Sequence, residues 1–172
     1  MDEIISAIKN SFEKLKNTDG ILFQCPYEKY IAYDSRKLHE VCINHRLANY
    51  LEQLFLPIFQ DSEDRLFVDI EFNHEGTNQK EMIVEEIQKT VRPDIIVHNR
   101  KTGDEKKNIL VVECKKKPVS NSEQIKDRNK IEAFLREIVY SYRYGLQAFY
   151  TKTGVEGTFY YLENEELKTK TI

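Results

Sequence analysis

The stretch Arg92-Pro93-Asp94-Ile95-Ile96-Val97-His98, followed after a polar interval by Asn108-Ile109-Leu110-Val111-Val112-Glu113-Cys114-Lys115-Lys116, decides how this chain is read. Two short apolar runs rich in β-branched residues, separated by the turn-prone, charged Asn99 to Lys107, predict an antiparallel hairpin in a sheet interior. Side chains alternate along a strand, so Glu113 and Lys115 share one face while Cys114 points to the other with Leu110 and Val112. In an antiparallel pair the start of one strand lies beside the end of its partner, which brings Asp94 next to Glu113 and Lys115. Two carboxylates and one ammonium then converge.

That set suits phosphodiester hydrolysis. Two carboxylates can hold Mg²⁺, with Mn²⁺ as a substitute, and the ion polarises a phosphate and lowers the pKa of a bound water. A lysine beside it orients that water and stabilises the charge that grows in the transition state. An acid two residues before a lysine also occurs at Asp104-Glu105-Lys106, Glu105-Lys106-Lys107 and Glu166-Leu167-Lys168. Those copies sit in solvated charge runs, whereas Glu113 ends an uninterrupted apolar strand whose partner opens with Pro93-Asp94.

Outward from the hairpin, Ile4, Ile5, Ile8, Phe12 and Leu15 recur at helical spacing and predict a helix over residues 2–17. Asp34-Ser35 caps a second helix from Arg36 to Phe55, with Leu38, Val41, Leu47, Leu51 and Leu54 as its buried stripe and Pro57 as its stop. Leu66 to Asn73 alternates as a strand, with Leu66, Val68, Ile70 and Phe72 on one face and Asp69, Glu71 and Asn73 on the other. Residues 74–80 read as a loop and Glu81 to Thr90 as a short helix before Pro93. Glu123 to Val139 is helical through Ile125, Ile131, Phe134, Leu135 and Ile138. Strands follow at Tyr144–Tyr150 and about 158–162, joined at Gly154 to Gly157.

The 172 residues, 40% apolar and 32% charged, predict one domain with a real core. No apolar run is long enough to span a bilayer, and the acidic Met1-Asp2-Glu3 opening is unlike a secretory signal, so no membrane partner is expected. Three cysteines without CxxC spacing suggest neither a disulfide framework nor zinc, which fits a reduced cytoplasm. A net charge of −3 leaves nucleic-acid binding to local clusters. The richest is Lys115-Lys116-Lys117 with Lys126, Arg128, Lys130 and Arg136, which either tracks phosphates or forms a solvated face.

The chain resembles the PD-(D/E)XK, or restriction-endonuclease-like, nuclease superfamily. The resemblance runs from about Leu38 to Tyr150 and is carried by Glu40 in the preceding helix, Glu71-Phe72-Asn73, Arg92-Pro93-Asp94-Ile95-Ile96-Val97-His98, Val112-Glu113-Cys114-Lys115-Lys116, and a following helix with Asp127 and Lys130. The Gln-x-x-x-Tyr motif of the recombination-exonuclease branch does not follow. The resemblance implies an α/β fold of αβα layers around a central mixed β-sheet of about four strands, with the nuclease core over about 36–152. It implies that Asp94 and Glu113 bind the metal, that Lys115 assists the water, and that Glu40 joins the metal shell. The hairpin geometry offers the Cys114 carbonyl as a further ligand. Lys116, Lys117, Lys126 and Lys130 are expected at the nucleic acid, with DNA favoured over RNA on family grounds.

The expected activity is Mg²⁺-dependent hydrolysis of DNA by a metal-activated water; the alternative is an inactive nuclease fold that binds nucleic acid or protein. One site cutting both strands of a duplex calls for a homodimer or two successive events. Glu71 faces either the cleft or solvent. His98 reads as a strand-end cap and Cys114 as a small buried hydrophobe. The tyrosines at 140, 142 and 144 are expected between the long helix and the next strand.

Overall fold

The computed structural model describes residues 1–23, 36–59, 65–72, 74–75, 78–79, 81–84 and 87–172. The Asp34-Ser35 cap, the Leu38 side chain and Asn73 lie outside the described residues. Helix α1 spans Asp2–Asp19 and α2 spans Arg36–Leu54, followed by a 3-10 turn at Leu56–Phe59. Strand β1 is Phe67–Ile70; β2 and β3 are the two-residue strands His74–Glu75 and Asn78–Gln79. Next come β4 (Glu81–Val84), β5 (Ile87–Thr90), β6 (Ile95–His98) and β7 (Asn108–Lys116). Helix α3 (Asn121–Arg136) leads to β8 (Tyr144–Thr151), β9 (Gly154–Glu163) and β10 (Glu166–Thr171).

The main sheet has six strands in the order β1-β6-β7-β8-β9-β10. Only β7 and β8 are parallel, because α3 carries the chain back across the sheet between them; the other pairs are antiparallel. The sheet is therefore mixed, as expected, but with two strands more than the resemblance implies.

Alternation along the strands sorts the core into two layers. Ile95 and Val97 of β6, with Leu110, Val112 and Cys114 of β7, pack beneath Ile8 and Phe12 of α1 and Ile43, Leu47 and Leu51 of α2. On the other face Ile96 and Val111 meet Phe134 of α3, with Tyr140 and Tyr142, and Ile131 and Leu135 meet Tyr160. Both faces of β6 are covered, so every residue of that strand is buried. Helix α3 lies close on the sheet at Gly145, where a Cβ would fall 2.2 Å from Ile131 Cγ2. A side chain there would push the helix away.

The hairpin holds as read. Ile95 pairs with Val112, Ile96 with Val111 and Val97 with Leu110. Several other expectations are corrected. Glu81–Val84 and Ile87–Thr90 form an antiparallel ribbon in place of the expected helix, with Glu81 opposite Thr90 and Val84 opposite Ile87, and β4 lies alongside α3. Its β-branched Ile83, Val84, Ile87 and Thr90 suit an extended backbone. The alternation of the first strand ends at Glu71, whose φ of 49° turns the chain, so Phe72 joins the α3 face and meets the His98 ring at 4.9 Å. Helix α3 begins earlier than read, at the Ser120–Glu123 capping box, and ends at Arg136. This leaves Ile138, 91% exposed, beyond its end, and Ile125 is exposed on its outer side. Val41 of α2 is likewise exposed, and Ile43 and Tyr50 take the core positions. The β8–β9 hairpin turns between Thr151 and Gly154, which places Gly154 to Gly157 inside β9. Strand β10, unread because its Glu166 and Lys168 look like a solvated charge run, forms a mostly exposed sheet edge. Tyr140 and Tyr142 pack on Phe134 as expected, whereas Tyr144 stacks on Phe159 on the other face.

Candidate metal and phosphate site

The site begins where the β6–β7 ladder stops. The last paired residues are Ile95 and Val112. One step further, Asp94 lies near enough to Glu113 for its charge to act on it, and the next two inward N–H groups along that edge of β7 belong to Cys114 and Lys116. Neither has a strand partner on that side, and each meets a carboxylate. The Cys114 N–H donates to Asp94 Oδ2 at 2.7 Å, and the Lys116 N–H donates to Glu40. An extended residue presents its N–H and C=O along the same edge, so the Cys114 carbonyl opens into the same gap.

Asp94 is fixed from several directions. Its carbonyl accepts the Glu71 N–H at 3.0 Å, and the carbonyl of Arg92 two residues earlier accepts Lys130 Nζ at 2.9 Å. Glu71 itself turns outward, half-exposed, with Oε2 3.5 Å from Arg92 Nη1. The backbone of Glu71 therefore serves the site more directly than its side chain does.

Glu113 is almost wholly buried on the α3 face, and its Oε1 lies 2.7 Å from Lys130 Nζ. Lys115, one pleat further on, has its Nζ 3.8 Å from Asp127 Oδ2. Burial pushes the Glu113 carboxyl up to about 8, with the Lys130 charge opposing the shift and Asp94 adding to it. Asp127 and Glu40 are also raised, chiefly by burial and against the pull of Lys115. Burial alone would lower the Lys115 ammonium, but Asp127, Asp94, Glu113 and Glu40 outweigh it and the net shift is upward. Lys115 therefore stays charged at neutral pH, suited to holding and stabilising anionic groups rather than to accepting a proton.

Asp127 is the residue that the sequence reading left without a role. It stands four residues before Ile131, where the apolar stripe of α3 would continue, and it is buried. Glu40 likewise stands three residues before buried Ile43 on α2. An acid in a stripe position at the end of a helix stripe was the available signal. Lys130 was expected on nucleic acid; here its head is turned inward to Glu113 and Arg92. Lys117 pairs with Glu156 and lies 5.3 Å from the Phe149 ring centre. Lys116 is half-buried and Lys126 exposed.

No family model matches the chain, and no curated protein matches it.

His98 and His45 lie elsewhere. His98 closes the opposite end of β6 with its Nε2 2.9 Å from Asp69 Oδ2, a carboxylate also held by Arg100. His45 lines a groove with Asp19, Arg46 and Ile70. Cys114 turns its thiol to the α1–α2 face, where burial raises its pKa well above the ordinary value and it meets the Tyr150 hydroxyl. That hydroxyl donates to Asn44 Oδ1 at 2.7 Å. The thiol is thus a core group, and only the Cys114 backbone reaches the site.

Among the described residues, no three His, Cys, Asp and Glu side chains are gathered closely enough to hold a metal ion as they stand. The donor set nevertheless fits a hard divalent cation: two carboxylates and a backbone carbonyl, all oxygen. Glu113 Oε1 and Asp127 Oδ2 are buried and accept no well-formed hydrogen bond, which leaves ligand capacity in the site. Asp94, Glu113 and the Cys114 carbonyl are the groups that would hold Mg²⁺, with Glu40 at the margin.

Proposed function

We propose that this protein is a Mg²⁺-dependent nuclease with a restriction-endonuclease-like fold that hydrolyses phosphodiester bonds of DNA. The observation that carries the reading is the Asp94 carboxylate, held by the Cys114 N–H just past the last β6–β7 pair, where its charge reaches Glu113, with a charged Lys115 two residues along the same strand face. Mg²⁺, when bound, supplies a Lewis acid for the phosphate and a water of lowered pKa. The chain supplies the rest. The Cys114 N–H fixes the Asp94 carboxylate, and Asp127 draws the Lys115 head into the site. From there the ammonium orients the attacking water and stabilises the extra negative charge on the phosphate as the P–O bond to the leaving group breaks. The exposed Lys126 and half-buried Lys116 are proposed to contact flanking phosphates. A cytoplasmic setting belongs to the same proposal, as does a homodimer for two-strand cutting. Among the described residues, no helix is long and apolar enough to cross a membrane.

The inward Lys130 favours a second reading, a nuclease fold that binds nucleic acid without turnover, because its ammonium already occupies the Glu113 carboxyl. Cleavage assays separate the two. Purified protein with Mg²⁺ or Mn²⁺, offered single-stranded, duplex, nicked and branched DNA, is expected to cut at least one substrate, and Asp94→Asn is expected to cut none. Binding without cleavage by the native chain, unchanged in Asp94→Asn, supports the second reading.

A further inference from the structure

Glu113 and Lys115 on β7 face Asp127 and Lys130 on α3 as a crossed quartet of charges. Side chains two residues apart on a strand and three apart on a helix project to the same side at similar spacing, so the two rows mate. The charge order is reversed between them, which pairs Lys130 with Glu113 at 2.7 Å and Lys115 with Asp127 at 3.8 Å. The two pairs differ in kind. Lys115 feels four carboxylates, whereas Lys130 rests on Glu113 and the Arg92 carbonyl and feels Asp127 besides. Glu113 Oε1 accepts no hydrogen bond of good geometry, so charge rather than directed bonding holds Lys130 there. Lys130 sits at the margin, with its side chain 20% exposed, and Lys126 lies one turn earlier on the same helix.

Resting on the nuclease reading above, we infer that Lys130 is an exchangeable cation: its ammonium rests against Glu113 in the metal-free site, and a divalent cation displaces it onto a phosphate of the bound DNA. The cation and the ammonium claim the same carboxylate. A double charge wins that competition at equal distance, and the two cations then repel one another. The flexible four-carbon stem of a lysine lets the head swing outward toward Lys126 without moving the helix. Metal binding and strand binding thereby become coupled, each favouring the other.

The test is DNA affinity, read by anisotropy of a labelled oligonucleotide in EDTA and in Ca²⁺, an oxygen-seeking cation of looser geometry than Mg²⁺. The native chain is expected to bind about tenfold tighter in Ca²⁺, the worth of roughly one charge-assisted contact. Lys130→Met is expected to lose most of the Ca²⁺ gain, measured against its own affinity in EDTA; Lys130→Arg is expected to keep it. Lys130→Gln, whose amide still donates to the Arg92 carbonyl, gives the same expected loss should the methionine variant fold poorly. An undiminished gain in Lys130→Gln, or equal weakening in both buffers, overturns the exchange. Native protein that cleaves with Mg²⁺ yet shows no Ca²⁺ gain overturns the exchange alone. Native protein that neither gains nor cleaves overturns the nuclease reading as well.

Discussion

The Asp94 carboxylate accepts the Cys114 backbone N–H at 2.7 Å, one residue beyond the point where the β6–β7 ladder ends. A side chain thus takes over a hydrogen bond that the sheet can no longer make. The same contact places that carboxylate at the strand edge onto which the Cys114 carbonyl opens.

Asp94→Asn separates these two duties. The amide oxygen still accepts the Cys114 N–H, so the melting temperature should stay within about 4 °C of the native value. The lost charge should lower cleavage by at least about a hundredfold. Asp94→Ala should lose both, with a further destabilisation of about 1–3 kcal/mol from the unpaired N–H. Thermal melts and cleavage rates on the same preparations check this, and near-native cleavage by the asparagine variant removes Asp94 from the mechanism.

The acids predict how stability depends on pH. Glu113 has a folded pKa raised to about 8 against an ordinary value of 4.5, so between those values the folded chain holds a proton that the unfolded chain has released. Stability therefore falls as pH rises through that window, by roughly a few kcal/mol, and the raised Asp127 and Glu40 act in the same direction. Melting in EDTA should show this decline, and Glu113→Gln should flatten most of it. Mg²⁺ should restore stability at the alkaline end, because a cation that binds only the folded state stabilises it. A native melting curve independent of pH from 5 to 8 contradicts the buried, raised Glu113.

Packing of α3 is tested at Gly145 and Ile138. Gly145→Ala drives a methyl into Ile131 and should destabilise the fold by about 1–3 kcal/mol, with cleavage falling because Asp127 and Lys130 ride on the same helix. Ile138→Ser, beyond the helix end and 91% exposed, should change stability by less than about 0.5 kcal/mol. Equal losses from the two substitutions would contradict the helix end at Arg136.

The parts legible in the sequence were those that depend on local pattern. Fully apolar runs at Ile95–Val97 and Ile109–Val112 identify central strands, and strand parity places Glu113 and Lys115 together without knowledge of the rest of the fold. Helix α1 is equally plain from its stripe. The partners of those charges were not legible, because the approach of Asp127 and Lys130 is set by how closely α3 can rest on Gly145, a tertiary fact. Residues 81–90 misled because ten residues of mixed composition support either a helix or a ribbon, and pairing decided it. Strand β10 escaped because an edge strand keeps charges on its exposed side. Phe72 changed faces through a single left-handed residue, Glu71, which no periodicity records.

The account turns on whether Asp94 and Glu113 share a divalent cation. A crystal soaked in Mn²⁺ and measured at the manganese absorption edge answers this most directly. The account predicts an anomalous peak between the two carboxylates, within about 2.1–2.3 Å of an oxygen from each and facing the Cys114 carbonyl, with Lys130 withdrawn from Glu113 and Lys115 beside the ion but not bound to it. Absence of a peak at saturating Mn²⁺, with Lys130 still resting on Glu113, would contradict it.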